Sequence, residues 1–285
     1  MLGLLLASLA VAGCEADSQD SKKSASGLSA EEVAARYGWV DRDDDLTPVY
    51  VLVPQFNALS VWYAQDLLAR RCLAGVFEYP AVPPDQQQSP TEDKRTGLPL
   101  FDEQIAAQYG YHMAPPPAAP NTAPITDSVH DKMVACGKDS AVRLGHPPES
   151  PLDGIVAAGW AAIEGDAGIR KAEQAWRTCM EPVGLIDLPA SPSEMPPASV
   201  IPPPVYNADG FAIDPPTTAV TQAERDVAVA DARCRVESGY TDAFRQARAR
   251  GELEAIGADI EGFEAARTAY LEYQKGIDAV IAELG

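Results

Sequence analysis

Apolar positions along this chain recur mainly at steps of three and four, the period of a helix buried on one side. The clearest run is C-terminal: Leu253, Ile256, Ile260, Phe263, Tyr270, Ile277, Ile281 and Leu284, interrupted by Arg267 and Gln274. It resembles a coiled-coil seam, weakened by Gly251, Gly257, Gly262 and Gly276. The pattern predicts one or two bundle helices over roughly 240–285; a partner-binding or oligomerising helix is the other reading. Ile169, Ala172, Trp176 and Cys179 keep the same period inside a helix predicted over 154–181, with a possible break at Gly165–Gly168 and a stop at Pro182 and Gly184. A further helix is predicted over 59–73 with Leu59, Trp62, Tyr63, Leu67 and Cys72 near one face, and another over about 101–109. One more starts at Asp127 and carries Val129, Met133 and Cys136, with Gly137 as a possible stop. Ser29-Ala30-Glu31-Glu32 and Thr221-Gln222-Ala223-Glu224 have capping-box spacing. The first opens a short helix to about Tyr37. The second opens a helix with Ala223, Val227, Ala230 and Cys234 on one face.

Extended signals are few. Val49-Tyr50-Val51-Leu52-Val53 reads as a short strand or extended packing segment stopped by Pro54. Proline-rich stretches at 80–90 and 189–204 read as connections, 114–124 as extended and exposed, and Asn207-Ala208-Asp209-Gly210 as a turn. No strand–helix alternation of a doubly wound sheet occurs. The expected fold class is therefore mainly α: a disulfide-bridged helical bundle with long Pro-rich loops and at most a minor β component.

The N-terminal pattern changes the picture of where the chain works. Leu2 to Ala10 is apolar, Val11-Ala12-Gly13-Cys14 follows, and Glu15 to Ser26 is polar. The run is shorter than the roughly 20 apolar residues a bilayer span needs. An apolar core of this length before a small-residue cleavage site is a secretory signal, and the terminal Cys resembles a bacterial lipobox. The basic n-region of such a signal is missing, since no Lys or Arg precedes Lys22; a start assigned too far downstream would account for that. The implied organisation is a signal peptide at 1–13, a lipid-anchored flexible tether at 14–28 with a reach of very roughly 20 Å, and one helical extracytoplasmic domain at 29–285. Cys14 would accept the lipid, and two acyl chains anchor stably where one does not. The localisation implied is the outer face of the bacterial cytoplasmic membrane.

Charge and cysteine content narrow the partners. The formal net charge is −20, from 42 acidic and 22 basic residues. That excludes nucleic acid as a partner, because such binding neutralises phosphates with Lys and Arg. It equally excludes a polybasic grip on anionic lipid, leaving the N-terminal lipid as the contact with the membrane. Of five cysteines, setting Cys14 aside leaves four: Cys72, Cys136, Cys179 and Cys234. An even set in an exported chain points to disulfides. Four cysteines allow three pairings; joining neighbouring segments favours Cys72–Cys136 and Cys179–Cys234. Each would close a loop of roughly 55–65 residues, for which loop entropy gives about 4 kcal/mol. None has zinc-ligand spacing, so no metal and no cofactor is expected.

The sequence carries few signs of reaction chemistry. No nucleophile elbow, P-loop, H-E-x-x-H or G-x-G-x-x-G is present. Asp41, Asp43 and Asp45 alternate like calcium ligands, but an EF-hand's glycine and glutamate positions hold Leu46 and Leu52. His130 beside Asp131 lacks a nucleophile or third group, and His112 and His146 have no partners by spacing. Ten Tyr and four Trp would suit a sugar- or peptide-binding surface, though such residues more often fill a core. One constellation has a physical argument. Trp176 and Cys179 share one helix face, Asp231 and Cys234 another; a Cys179–Cys234 bond would clamp the faces so that the Trp176 indole N–H donates to Asp231.

At these residues the chain resembles a family. Trp176-x-x-Cys179-Met180 and Glu224-x-x-x-Ala228-x-x-Asp231-x-x-Cys234, with Cys72…Gly75…Phe77-x-Tyr79 and Tyr109-Gly110-Tyr111 upstream, are similar to a pattern in secreted or lipid-anchored proteins of actinobacteria, over roughly residues 60–285. The resemblance implies an exported lipoprotein with no assigned catalytic residues. The expected role is a membrane-anchored, non-catalytic binding protein of the cell envelope, its partner an envelope protein or cell-wall ligand. The alternative is an envelope-polymer hydrolase with a carboxylate acid/base site. A solute-binding protein is disfavoured because it needs two α/β lobes.

Overall fold

The computed structural model describes residues 27–41, 47–53, 58–92, 99–115, 124–148, 152–203, 205–206, 212–214 and 219–285. Cys14, the turn at 207–210 and the acidic run beyond Asp41 lie outside these residues. Among them are eleven α-helices: α1 (Ala30–Tyr37), α2 (Pro48–Leu52), α3 (Ala58–Leu73), α4 (Pro84–Gln87), α5 (Glu103–Tyr109), α6 (Asp127–Leu144), α7 (Leu152–Glu164), α8 (Ala167–Met180), α9 (Gln222–Glu237), α10 (Tyr240–Ala258) and α11 (Ile260–Leu284). The β content among the described residues is one antiparallel ribbon, β1 (Val205–Tyr206) with β2 (Ala212–Asp214), and an isolated bridge between Glu92 and Pro99. The fold is mainly helical, as the periodicity predicts.

Local chemistry sets the helix ends. The Ser29 box is complete: the Glu32 N–H donates to Ser29 Oγ and the Ser29 N–H to Glu32 Oε2. The helix expected over 154–181 does break within Gly165–Gly168: Asp166 caps the second piece by accepting from the Ile169 N–H at 2.9 Å. Gly137 does not stop α6, which continues to Leu144 and ends at Gly145. Val49–Val53 is the clear departure from the sequence reading: it is the short helix α2 followed by its cap, not a strand. Pro48 occupies the first helical turn, where its fixed φ is favourable, and the Val49 N–H donates to the buried Glu252 carboxylate at 3.0 Å. A long-range side chain thus outweighs β-branched propensity.

The main core joins Val33, Val49, Leu52, Leu152, Ile155, Leu253, Ile256, Phe263 and Tyr270 from α1, α2, α7, α10 and α11. α7 and α10 cross where Gly159 meets Gly251. A Cβ on Gly251 would lie 2.6 Å from the Ala158 carbonyl oxygen and 2.7 Å from the Ala162 Cβ. That glycine permits close packing rather than weakening the helix to no purpose. Gly257 does the same for the N-terminal segment: the Leu28 N–H donates to its carbonyl at 3.0 Å, so Gly27 and Leu28, assigned to the tether from sequence, lie against α10. α11 (25 residues, about 37 Å at helical rise) spans two regions. Its first half packs in the main core, and Ile277 is buried farther along. α3 and α6 form a satellite cluster through Leu73, Ala69, Met133 and Cys136, closed by Cys72–Cys136 with Cα atoms 5.8 Å apart. Trp62, placed on the inner face of α3 by periodicity, is 59% exposed.

Candidate functional site

The densest polar chemistry lies where α8 and α9 meet. Trp176 and Met180 are buried with Cys234 against Val183, Leu185, Leu188 and Met195 from the Pro-rich segment after α8. Cys179 and Cys234 are bonded, their Cα atoms 5.6 Å apart, inside the range a disulfide tolerates. Asp231, fully buried, accepts from Trp176 Nε1 at 2.9 Å, Arg235 Nε at 2.9 Å, Arg235 Nη2 at 2.8 Å and Tyr111 Oη at 3.1 Å. Arg235 Nη2 also donates to the Pro192 carbonyl at 2.6 Å, tying the Pro-rich segment to α9. Its guanidinium lies 4.8 Å over the Phe101 ring, which stacks on Tyr111 at 5.4 Å. Burial, reinforced by the Asp231 charge, pushes the Tyr111 phenol far above its ordinary value. Four donors fill the lone-pair directions of the Asp231 carboxylate. The arrangement fixes helices.

Glu224 uses its position differently from a standard capping box. Thr221 Oγ1 accepts from the Glu224 N–H at 3.1 Å, but Glu224 Oε1 accepts from the Tyr111 N–H at 3.0 Å. A Cβ on Gly110 (φ +60°) would lie 2.2 Å from that same oxygen, so Tyr109-Gly110-Tyr111 needs its glycine for both backbone angle and close approach. The buried residues of α9 are Glu224, Ala228, Asp231, Ala232 and Cys234; of the face expected from apolarity, Cys234 is buried, Val227 and Ala230 pack partly buried against the Trp176 cluster, and Ala223 is exposed. His112 Nε2 is 3.5 Å from Glu224 Oε1. His130 and Asp131 are both exposed at 4.0 Å, and His146 is exposed.

A second buried network was not legible in the sequence. Glu252, fully buried, accepts from Thr47 Oγ1 at 2.9 Å, the Val49 N–H at 3.0 Å and Arg248 Nε at 2.9 Å. The Arg248 guanidinium lies 5.2 Å from the Tyr50 ring and 5.1 Å from the Trp160 ring. Burial raises the Glu252 pKa against the opposing donors from Val49, Thr47 and Arg248. The one local signal, Arg and Glu four apart, ordinarily marks a surface pair; the other partners are about 200 positions away. Asp66 is raised too, by burial, and accepts from Tyr79 Oη at 2.6 Å.

Open clefts are modest. One of about 430 Å³ is lined by Leu67, Arg70, Arg71, Ala74, Phe77, Glu78 and Leu284. Another of about 240 Å³ has Trp39, Ala34 and Leu253 among its walls. Neither holds Asp66, Asp231 or Glu252. Among the described residues no His/Cys/Asp/Glu group has metal-holding geometry, and no helix is long and apolar enough to cross a membrane. Asp41, from the acidic run, is paired with Arg245. Compared with protein-family models, curated proteins and solved structures, the chain matches none.

Proposed function

We propose that this chain is a lipoprotein held by Cys14 on the outer face of the cytoplasmic membrane, where it serves as a non-catalytic binding protein of the cell envelope. The observation that carries the anchor is the small-residue site Val11-Ala12-Gly13-Cys14 between an apolar run and a polar segment. The binding role is supported by the fate of the buried carboxylates. Asp231 and Glu252 are taken up by donors that join helices, while a carboxylate acid/base site needs a pair free to exchange protons in one cleft. Among the described residues, the carboxylates with raised pKa are Asp66 and Glu252, which have separate partners and lie on separate helices. The resemblance to a pattern of secreted actinobacterial proteins fits the same role, since the Trp176, Asp231, Cys179 and Cys234 that carry it meet in a framework. The test is labelling with palmitate in intact cells beside crosslinking. Wild type incorporates label and captures a defined envelope partner. Cys14→Ala loses the label. Label retained in the variant overturns the anchor, and hydrolysis of envelope polymer that is lost in Asp66→Asn overturns the non-catalytic role.

A further inference from the structure

The two disulfides differ in what covers them. Cys179–Cys234 packs with Trp176 and Met180 under side chains of the segment after α8, and the Glu237 carboxylate is 3.6 Å from Cys179 Sγ. An incoming thiolate meets packed side chains and a like charge there. Cys72–Cys136 is open on one side. Cys136 is buried, but Cys72 is exposed, and both line a cleft of about 250 Å³. Arg71 and Arg143 on its wall lie 2.6 and 3.9 Å from Glu283, and Asp139 lines the same wall. Opposite charges balance, so access decides. The bridge also holds an element with little else to hold it. α6 runs for 18 residues, of which Cys136 and Ser140 are buried, and Ser140 Oγ donates to the Cys136 carbonyl of the same helix at 2.7 Å. α6 packs chiefly on α3, through Met133 and Cys136 against Ala69 and Leu73. The Arg143–Glu283 pair to α11 has both side chains more than half exposed and is weak.

We propose that Cys72–Cys136 is a thiol-exchange site whose reduction releases α6 from α3. The reductant is a dithiol, free or carried by a thiol–disulfide oxidoreductase. Its thiolate attacks Cys72 Sγ on the accessible side; the S–S bond breaks, and Cys136 leaves as a thiolate that takes a proton from solvent. The reductant's second thiolate then attacks its own sulfur in the mixed disulfide and expels the Cys72 thiolate, which is protonated in turn. The bridge gains two electrons and two protons, and the dithiol is oxidised to a disulfide. Departure of α6 uncovers buried Leu73 and Ala69 on α3. The inference goes beyond the binding role above and does not depend on Cys14. The test exposes the full-length oxidised chain, its free thiols blocked, to dithiothreitol at about pH 8, where thiolates are abundant, and maps newly freed cysteines by alkylation and mass spectrometry. Cys72 and Cys136 should be freed about tenfold faster than Cys179 and Cys234, and the monothiol glutathione should be trapped on Cys72. Hydrogen exchange of the selectively reduced chain should show α6 amides about tenfold less protected, with α8 and α9 unchanged. The double variant Cys72→Ser, Cys136→Ser should reproduce that exchange pattern without reductant. Equal rates for the two bridges, glutathione trapped on Cys136, or α6 protection unchanged on reduction overturns the proposal. So does loss of protection in α8 and α9 of the double variant, which would mean global unfolding in place of a local release.

Discussion

Asp231→Ala is the most informative perturbation of the framework. The carboxylate is fully buried and takes four donors, from Trp176, Tyr111 and twice from Arg235. Its removal leaves the Trp176 indole N–H, on a side chain itself fully buried, without an acceptor. Removing one member of a buried ion pair costs about 3–5 kcal/mol. Arg235 remains 22% exposed and keeps the Pro192 carbonyl, which puts its share near the lower end, about 3 kcal/mol. An unpaired buried donor adds about 1–2 kcal/mol. The expected loss is about 4–5 kcal/mol, a large part of the 5–15 kcal/mol typical of a folded domain. The assay is guanidinium denaturation followed by far-UV circular dichroism with both disulfides intact, run as a double-mutant cycle with Trp176→Phe. Because Asp231→Ala already strands the indole N–H, the two losses should couple by about 1–2 kcal/mol. Additivity within about 0.5 kcal/mol, or a loss below about 1 kcal/mol for Asp231→Ala, would refute the reasoning.

Gly251→Ala should destabilise by about 1–3 kcal/mol, since its methyl would meet the Ala158 carbonyl and Ala162 Cβ at 2.6 and 2.7 Å. Gly276→Ala, with nothing within 4 Å of the new Cβ, should stabilise by about 0.5–1 kcal/mol; the same denaturation assay reads both. Asp166→Ala should cost about 1 kcal/mol at neutral pH through loss of the α8 cap. The Ile169 N–H first, then the Arg250 guanidinium, holds the Asp166 pKa below its ordinary 3.8. That contribution is complete above 3.8 and is lost as pH falls through the lower folded value. Asp166→Asn should therefore keep most of the cap yet flatten the stability profile below about pH 4.

Much of this architecture is written locally in the chain, and the remainder is not for identifiable reasons. The break within Gly165–Gly168, the caps at Ser29 and Thr221 and the period of Ile169, Ala172 and Trp176 depend on neighbours within a few residues. Those were legible, as was the helical class. The Trp176–Asp231 contact was legible because a bridge between nearby helix faces constrains what lies three residues away. α2 was not: its helical turn depends on Pro48 together with Glu252, about 200 positions distant. Trp62 points outward because burial depends on which neighbour covers a face, and α3 has only part of its circumference covered by α6 and α11. Gly251 and Gly257 looked like weaknesses because periodicity registers the loss of a side chain and not the close approach it allows.

Attachment through Cys14, as proposed above, is addressed directly by one measurement. Mass spectrometry of the N-terminal tryptic peptide from membrane-extracted protein should find a species starting at Cys14 and ending at Lys22. Its thiol should carry a thioether-linked diacylglyceryl group, the two-chain anchor that stable attachment requires. A peptide that runs through Gly13 into Cys14 with an unmodified thiol would contradict the account.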